Sequence, residues 1–124
     1  MKILVVDDSS VMRRIIINSL TNLIKSVEII EAADGVLGFK RYLENKDSLD
    51  LVLSDWNMPN CDGLTFLKEL VADGCKAPVV MVTTEAEKAN VIMAIKSGAK
   101  NYITKPFTPE TLREKIEKTL GKKL

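Results

Sequence analysis

Four short runs in this chain of 124 residues, three of them apolar, end at side chains able to do chemistry together. Leu51-Val52-Leu53-Ser54 delivers Asp55, and Pro59, Asn60, Asp62 and Gly63 then enforce a loop. Ile3-Leu4-Val5-Val6 ends in the same manner at Asp7 and Asp8, and Val79-Val80-Met81-Val82 ends at Thr83. Lys105 follows the shorter run Asn101 to Thr104. A lone aspartate at a strand end usually just satisfies loop amides. Three carboxylates, a lysine and a threonine at four such ends call for a shared explanation.

Carboxylates brought into one pocket repel each other and require a cation or a proton. The chain has no histidine, so all-oxygen ligation selects a hard divalent ion, foremost Mg²⁺. Held by two carboxylates and a backbone carbonyl, Mg²⁺ keeps about half of its six or so positions for water or a phosphoryl oxygen. The Lys105 ammonium and the Thr83 hydroxyl complete a match to the three oxygens of a phosphoryl group in transfer. A carboxylate already in the pocket is a competent nucleophile. The pattern reads as a phosphoryl acceptor on an aspartate.

These groups meet only if the strand ends do. Strand and helix signals alternate five times, with strands expected at residues 3–6, 27–32, 49–54, 79–82 and 101–104. Ser9 or Ser10 caps a helix with the stripe Val11, Ile15, Leu20, Leu23 and Ile24. Asp34 caps a second helix carrying Val36, Phe39 and Leu43, weakened by Gly35 and by Gly38, for which the sequence offers no reason. Asp62 precedes a third with Leu64, Leu67, Leu70 and Val71 inward, stopped near Gly74. Ala86 to Ser97 forms a fourth, with Ile92 and Ile95 inward and Val91 outside that stripe, ending at Gly98. Thr108-Pro109 caps the last, where Phe107 staples onto Leu112 and the inner stripe is Leu112, Ile116 and Leu120. Such alternation implies an α/β fold, a doubly wound parallel sheet with helices on both faces. Right-handed crossovers put every strand's C-terminal end on one edge, and ligands bind there, where the winding reverses.

Composition narrows the function. With 46% hydrophobic and 28% charged residues and a net charge of +1, the chain suits one globular domain without a strong pull toward nucleic acid or membrane. Residues 1–86 hold 9 basic and 13 acidic residues, while 87–124 hold 9 and 4, so the last third favours an acidic partner. Cys61 and Cys75, without a histidine, exclude an ordinary zinc site and suit a reducing compartment. No signal-peptide core or membrane-length apolar stretch is present, so a cytoplasmic location is expected. Met12, Met58, Met81 and Met93 are expected to serve packing, and Trp56 to be an exposed loop side chain.

The chain resembles the receiver domains of two-component response regulators, and among them the single-domain chemotaxis regulators. The resemblance spans essentially all of 1–124, taken as a single receiver domain. It rests on Val5-Val6-Asp7-Asp8-Ser9-Ser10, Asp55-Trp56-Asn57-Met58-Pro59, Thr83 and Tyr102-Ile103-Thr104-Lys105-Pro106-Phe107. Adjacent aspartates are common in loops, but all of these motifs in order, at the right strand ends, are specific. The resemblance implies a flavodoxin-like five-stranded sheet of order 2-1-3-4-5 with five helices.

It also implies roles. Asp55 is the phosphorylated residue; Asp8, Asp55 and the backbone carbonyl of Asn57 hold Mg²⁺ directly, and Asp7 acts mostly through water. Lys105 pairs with the carboxylate or phosphoryl group and is followed by a cis peptide bond to Pro106. Thr83 moves toward the phosphoryl oxygen and Tyr102 turns inward, which alters a face made by Lys88, Val91, Tyr102, Thr104 and Lys115. Alone, Tyr102 would read as a half-buried edge aromatic, Thr83 as a helix cap and Lys105 as a surface lysine. The implied partners are a histidine kinase, the flagellar motor switch protein and, optionally, a phosphatase, with the chain itself a monomer and a regulator rather than an enzyme. Asn57 and Glu85 flank the site at positions that tune hydrolysis, and Thr84 stands where a smaller residue is common.

Three rival functions would use the same residues. A flavin-binding module shares the fold but needs a phosphate-cradling loop where Asp7 and Asp8 stand. A haloacid-dehalogenase-type phosphatase needs an aspartate two residues after its nucleophile on the first strand, and a longer chain. A phosphorelay shuttle passing the group from Asp55 to a histidine phosphotransfer protein is nearly indistinguishable by sequence.

Overall fold

The computed structural model describes residues 1–84 and 88–124, with only the backbone at Lys88. Its elements run β1 (Lys2–Val6), α1 (Ser10–Leu23), β2 (Glu28–Ala32), α2 (Gly35–Asn45), β3 (Leu51–Asp55), α3 (Gly63–Ala72), β4 (Val79–Thr83), α4 (Lys88–Lys96), β5 (Asn101–Thr104) and α5 (Pro109–Leu120). All four strand pairings are parallel, in the order β2-β1-β3-β4-β5. The winding reverses at β1, between the strands that end at Asp7 and Asp55.

The apolar runs are buried on both faces, as a parallel sheet covered by helices requires. Ile3 and Val5 face one way, into a core with Ile16 and Leu20 of α1 and Leu112 and Ile116 of α5. Leu4 and Val6 face the other way, toward Tyr42 of α2, Phe66 and Leu70 of α3 and Ala94 of α4. Four helices carry a capping side chain at their start: Ser9 accepts from the Met12 N–H, Asp34 from Leu37, Asp62 from Thr65 and Thr108 from Thr111. Phe107 and Leu112 pack in the same cluster, which fits the staple.

Two helices, α2 and α4, turn inward a face one residue away from the one the pattern suggested, and α1 does so only in its first turns, since Leu20, Leu23 and Ile24 of the expected stripe meet the core. In α1, Ile16 and Leu20 are buried with Met12 beside them, while Val11 and Ile15 are exposed. In α2, Gly35, Gly38 and Tyr42 are buried, at the same spacing as Val36, Phe39 and Leu43, of which Val36 and Leu43 are exposed. In α4, Ala94 is buried and Val91 half-buried, while Ile92, Met93 and Ile95 are exposed. In α3, Phe66 joins Leu67 and Leu70 inside, and Val71 lies outside.

Small residues explain the shifts in α2 and α4, where Gly35, Gly38 and Ala94 lie inward. A Cβ on Gly38 would sit 3.1 Å from the Phe66 ring and 3.2 Å from Val6, so α2 lies against α3 and β1 at a distance where any larger residue would make those side chains give way. That is the reason for Gly38. The expected helix start at Ala86 and the tuning position Glu85 lie outside the described residues, as does the side chain of Lys88. Among the described residues, no helix is long and apolar enough to cross a membrane.

Candidate functional site

The reversal of winding brings the ends of β1 and β3 side by side, and the acidic groups follow. Asp7 is buried, its N–H bonded to the Ala32 carbonyl (3.1 Å) and its Oδ1 accepting from the Ser9 N–H (2.9 Å). Asp55, the last residue of β3, is 8% exposed and accepts from the Trp56 N–H at 2.8 Å. Lys105 follows β5 through a backbone bond from its N–H to the Thr83 carbonyl, at 2.6 Å, and precedes a cis bond to Pro106. Its Nζ lies 2.9 Å from Asp7 Oδ2 and 3.4 Å from Asp55 Oδ1, with all three side chains largely out of water.

Carboxylate oxygens of Asp7, Asp8 and Asp55 lie within 4.8 Å of one another. Asp8 is exposed, and its carboxylate has no hydrogen-bond or ion-pair partner among the described residues. One ammonium therefore faces three carboxylates. Burial pushes the Asp55 carboxyl above its ordinary value, the Asp7 charge adds to this, and Lys105 opposes both. This donor set fits Mg²⁺: oxygen only, with a surplus of negative charge and one ligand open to solvent.

A stability prediction follows from the raised Asp55. A carboxyl held above its ordinary 3.8 favours the fold at acid pH, and that contribution is lost as pH rises through the raised value. Asp55→Asn removes the loss and leaves a neutral Lys105–Asp7 pair. The metal-free variant should melt about 3 °C above wild type at pH 7, with the margin vanishing toward pH 4. Calorimetry in chelator across that range checks it; a variant less stable than wild type at pH 7 would refute it.

The remaining expected residues are placed as follows. Thr83 is buried at the end of β4, with Thr104 its register partner on β5. Asn57 is exposed in the loop leaving β3. Tyr102 is half-buried on β5, with the Lys115 ammonium 4.5 Å from its ring centre, a cation–π contact between β5 and α5. Trp56 is half-buried against the core rather than a free loop side chain. Of the expected partner face, Val91 is turned partly inward, so Ile92 and Ile95 supply the exposed apolar surface of α4.

Two residues near the site were not singled out by sequence. Gly63 donates its N–H to the Trp56 carbonyl at 2.8 Å, and a Cβ there would collide with the Asp55 carbonyl oxygen. Its place after Asp62 signals only a loop in the sequence. Arg13 lies off the apolar stripe of α1 and yet bonds the main chain of Asp7. No spacing rule marks such a contact.

Residues 3–117 match the model of the response regulator receiver domain family, and the chain belongs to that family. It is 48% identical over 123 residues to chemotaxis protein CheY1 of Helicobacter pylori strain J99, covering 98% of each chain. It is 49% identical over 123 residues to a chemotaxis protein CheY homolog of Campylobacter jejuni, covering 98% of this chain and 93% of the relative. Among solved structures it is similar to the CheX–CheY–BeF3–Mg²⁺ complex of Borrelia burgdorferi (TM-score 0.89, 27% identity, 95% of this chain and 87% of that one). These relatives place it with the CheY-type receiver domains of two-component chemotaxis signalling.

Proposed function

We propose that residues 1–124 act as a single, monomeric, cytoplasmic phospho-acceptor switch in which Asp55 takes a phosphoryl group from a chemotaxis histidine kinase. The observation that carries this is one buried ammonium against three carboxylates on a sheet edge, with a buried threonine at the end of β4 whose carbonyl accepts from the N–H of that lysine. An Asp55 Oδ attacks phosphorus, the bond from phosphorus to the donor histidine nitrogen breaks, and that nitrogen keeps the electron pair. Asp8, Asp55 and the Asn57 carbonyl, with Asp7 acting mostly through water, would hold Mg²⁺, which would supply charge neutralisation. The CheY relative in the Borrelia complex, with BeF3 and Mg²⁺, supports the same ligand chemistry.

Lys105 sheds part of its pairing with Asp7 to hold one phosphoryl oxygen, and the Thr83 hydroxyl donates to another. Because the Lys105 N–H is bonded to the Thr83 carbonyl, movement at the end of β4 is transmitted to β5. Tyr102 then leaves the Lys115 ammonium and turns inward. The face of α4, β5 and α5, including Lys88, Val91, Tyr102, Thr104 and Lys115, changes shape and binds an acidic segment of the flagellar motor switch protein. An optional phosphatase shortens the signal, and the chain's own part is that of a regulator.

The test is acetyl phosphate with Mg²⁺, read by intact mass. Wild type should gain one phosphoryl group in a Mg²⁺-dependent manner, and Asp55→Asn should gain none. An adduct at full yield in the variant would sink the assignment.

A further inference from the structure

Arg13 lies in α1, yet its side chain is only 17% exposed and is divided between two neighbouring segments. Nη1 donates to the Asp7 carbonyl at 2.6 Å, and Nε donates to Oε1 of Glu31 on β2 at 3.0 Å. The carbonyl belongs to the peptide that joins Asp7 to Asp8. Because the Asp8 carboxylate has no bond of its own among the described residues, its direction is set by that backbone. The Asp7 N–H fixes the peptide before it, on Ala32, and the Ser9 N–H fixes the peptide after it, on the Asp7 side chain. Arg13 holds the peptide in between.

We infer that Arg13 is a positioning residue for cation binding: its guanidinium holds the Asp7–Asp8 peptide so that the Asp8 carboxylate faces Asp7 and Asp55. Glu31 aims the guanidinium and neutralises it. This rests on the Mg²⁺ site proposed above. The two roles open to Arg13 differ in sign. As a mere charge, a guanidinium beside the acidic cluster opposes a dication, so its removal would tighten binding. As a positioning group, its removal loosens Asp8 and weakens binding. The fork suits the second role, since a planar guanidinium can bond two acceptors in one fixed geometry.

The experiment titrates MgCl2 into the purified chain, reading Trp56 emission and the rise in melting temperature, at about 0.5 M KCl to screen longer-range charge effects. Arg13→Met keeps most of the stem and should raise the Mg²⁺ dissociation constant about tenfold, the scale at which partners orienting a metal ligand act. Glu31→Ala frees the guanidinium and should weaken binding in the same direction by about threefold. A purely structural Arg13 would lower the metal-free melting temperature and leave the dissociation constant unchanged. That result overturns the inference, as does tighter binding. If Arg13→Met does not fold, Glu31→Ala is set beside Glu31→Gln, which loses the same charge but keeps an acceptor for Nε, and equal affinities in the two count against the inference. A wild-type chain that ignores Mg²⁺ would defeat the proposed site itself; a wild-type chain that binds it, with variants that bind equally, defeats only the role of Arg13.

Discussion

Replacing Lys105 by methionine should lower the stability of the metal-free protein by about 3 kcal/mol, roughly 10 °C in melting temperature. Methionine keeps most of the apolar stem, so the loss isolates the ammonium. That ammonium stands 2.9 Å from Asp7 and 3.4 Å from Asp55, where water can do little to replace it. Without it, two buried carboxylates face each other with Asp8 beside them, and one must take up a proton or the strand ends must part. Millimolar Mg²⁺ should restore most of the loss, because a dication neutralises the same oxygens. The deficit should also shrink at acid pH as the carboxyls protonate. Calorimetry in chelator and in MgCl2 separates these effects. An unchanged melting point in chelator would mean that the carboxylates do not depend on Lys105. The phosphoryl adduct should form far more slowly in this variant even with the metal present, since the second cation at the phosphoryl group is gone.

Gly63→Ala should be of similar size and act through a different cause. The added methyl would meet backbone on two sides, the Asp55 carbonyl oxygen and, at 2.9 Å, the Trp56 Cα, with the Met81 methyl also at 2.9 Å. A methionine end can swing away; a strand end and the following loop cannot do so cheaply. Overpacking of this kind costs about 3 kcal/mol. The displacement falls on the residue proposed to carry the phosphoryl group, so Mg²⁺ affinity should drop together with stability. Amide NMR shifts should concentrate around Asp55 and Trp56 and leave α1 and α5 unmoved. A stable variant with wild-type Mg²⁺ response would show that the loop yields more readily than its contacts suggest.

The sheet was legible because its signals are unambiguous. Runs such as Val79–Val82 are wholly apolar and short, and turn residues bound them, so strand positions came out within a residue or two. The polar ends were equally plain, since Asp7, Asp55 and Thr83 each interrupt or close a run of buried residues. Helix facing was harder. In α1, α2 and α4 apolar residues occupy adjacent positions, so two stripes one residue apart fit the pattern equally well. In α2 and α4 the stripe with more large aliphatic side chains is the outer one. What decides is how close each helix must come to the sheet, which favours Gly35, Gly38 and Ala94 over Val36 and Ile95. Contacts through the main chain, such as that of Arg13 with Asp7, leave no trace in residue type at all.

The bond between Asp7 and Lys105 spans 98 residues of sequence. A nascent chain on the ribosome therefore holds its acidic cluster without the balancing ammonium until the last strand has emerged and docked. Truncated translation products and proteolytic stubs lacking that strand should be silent in signalling, so the demand for a complete sheet acts as an editing step on which molecules can carry the message.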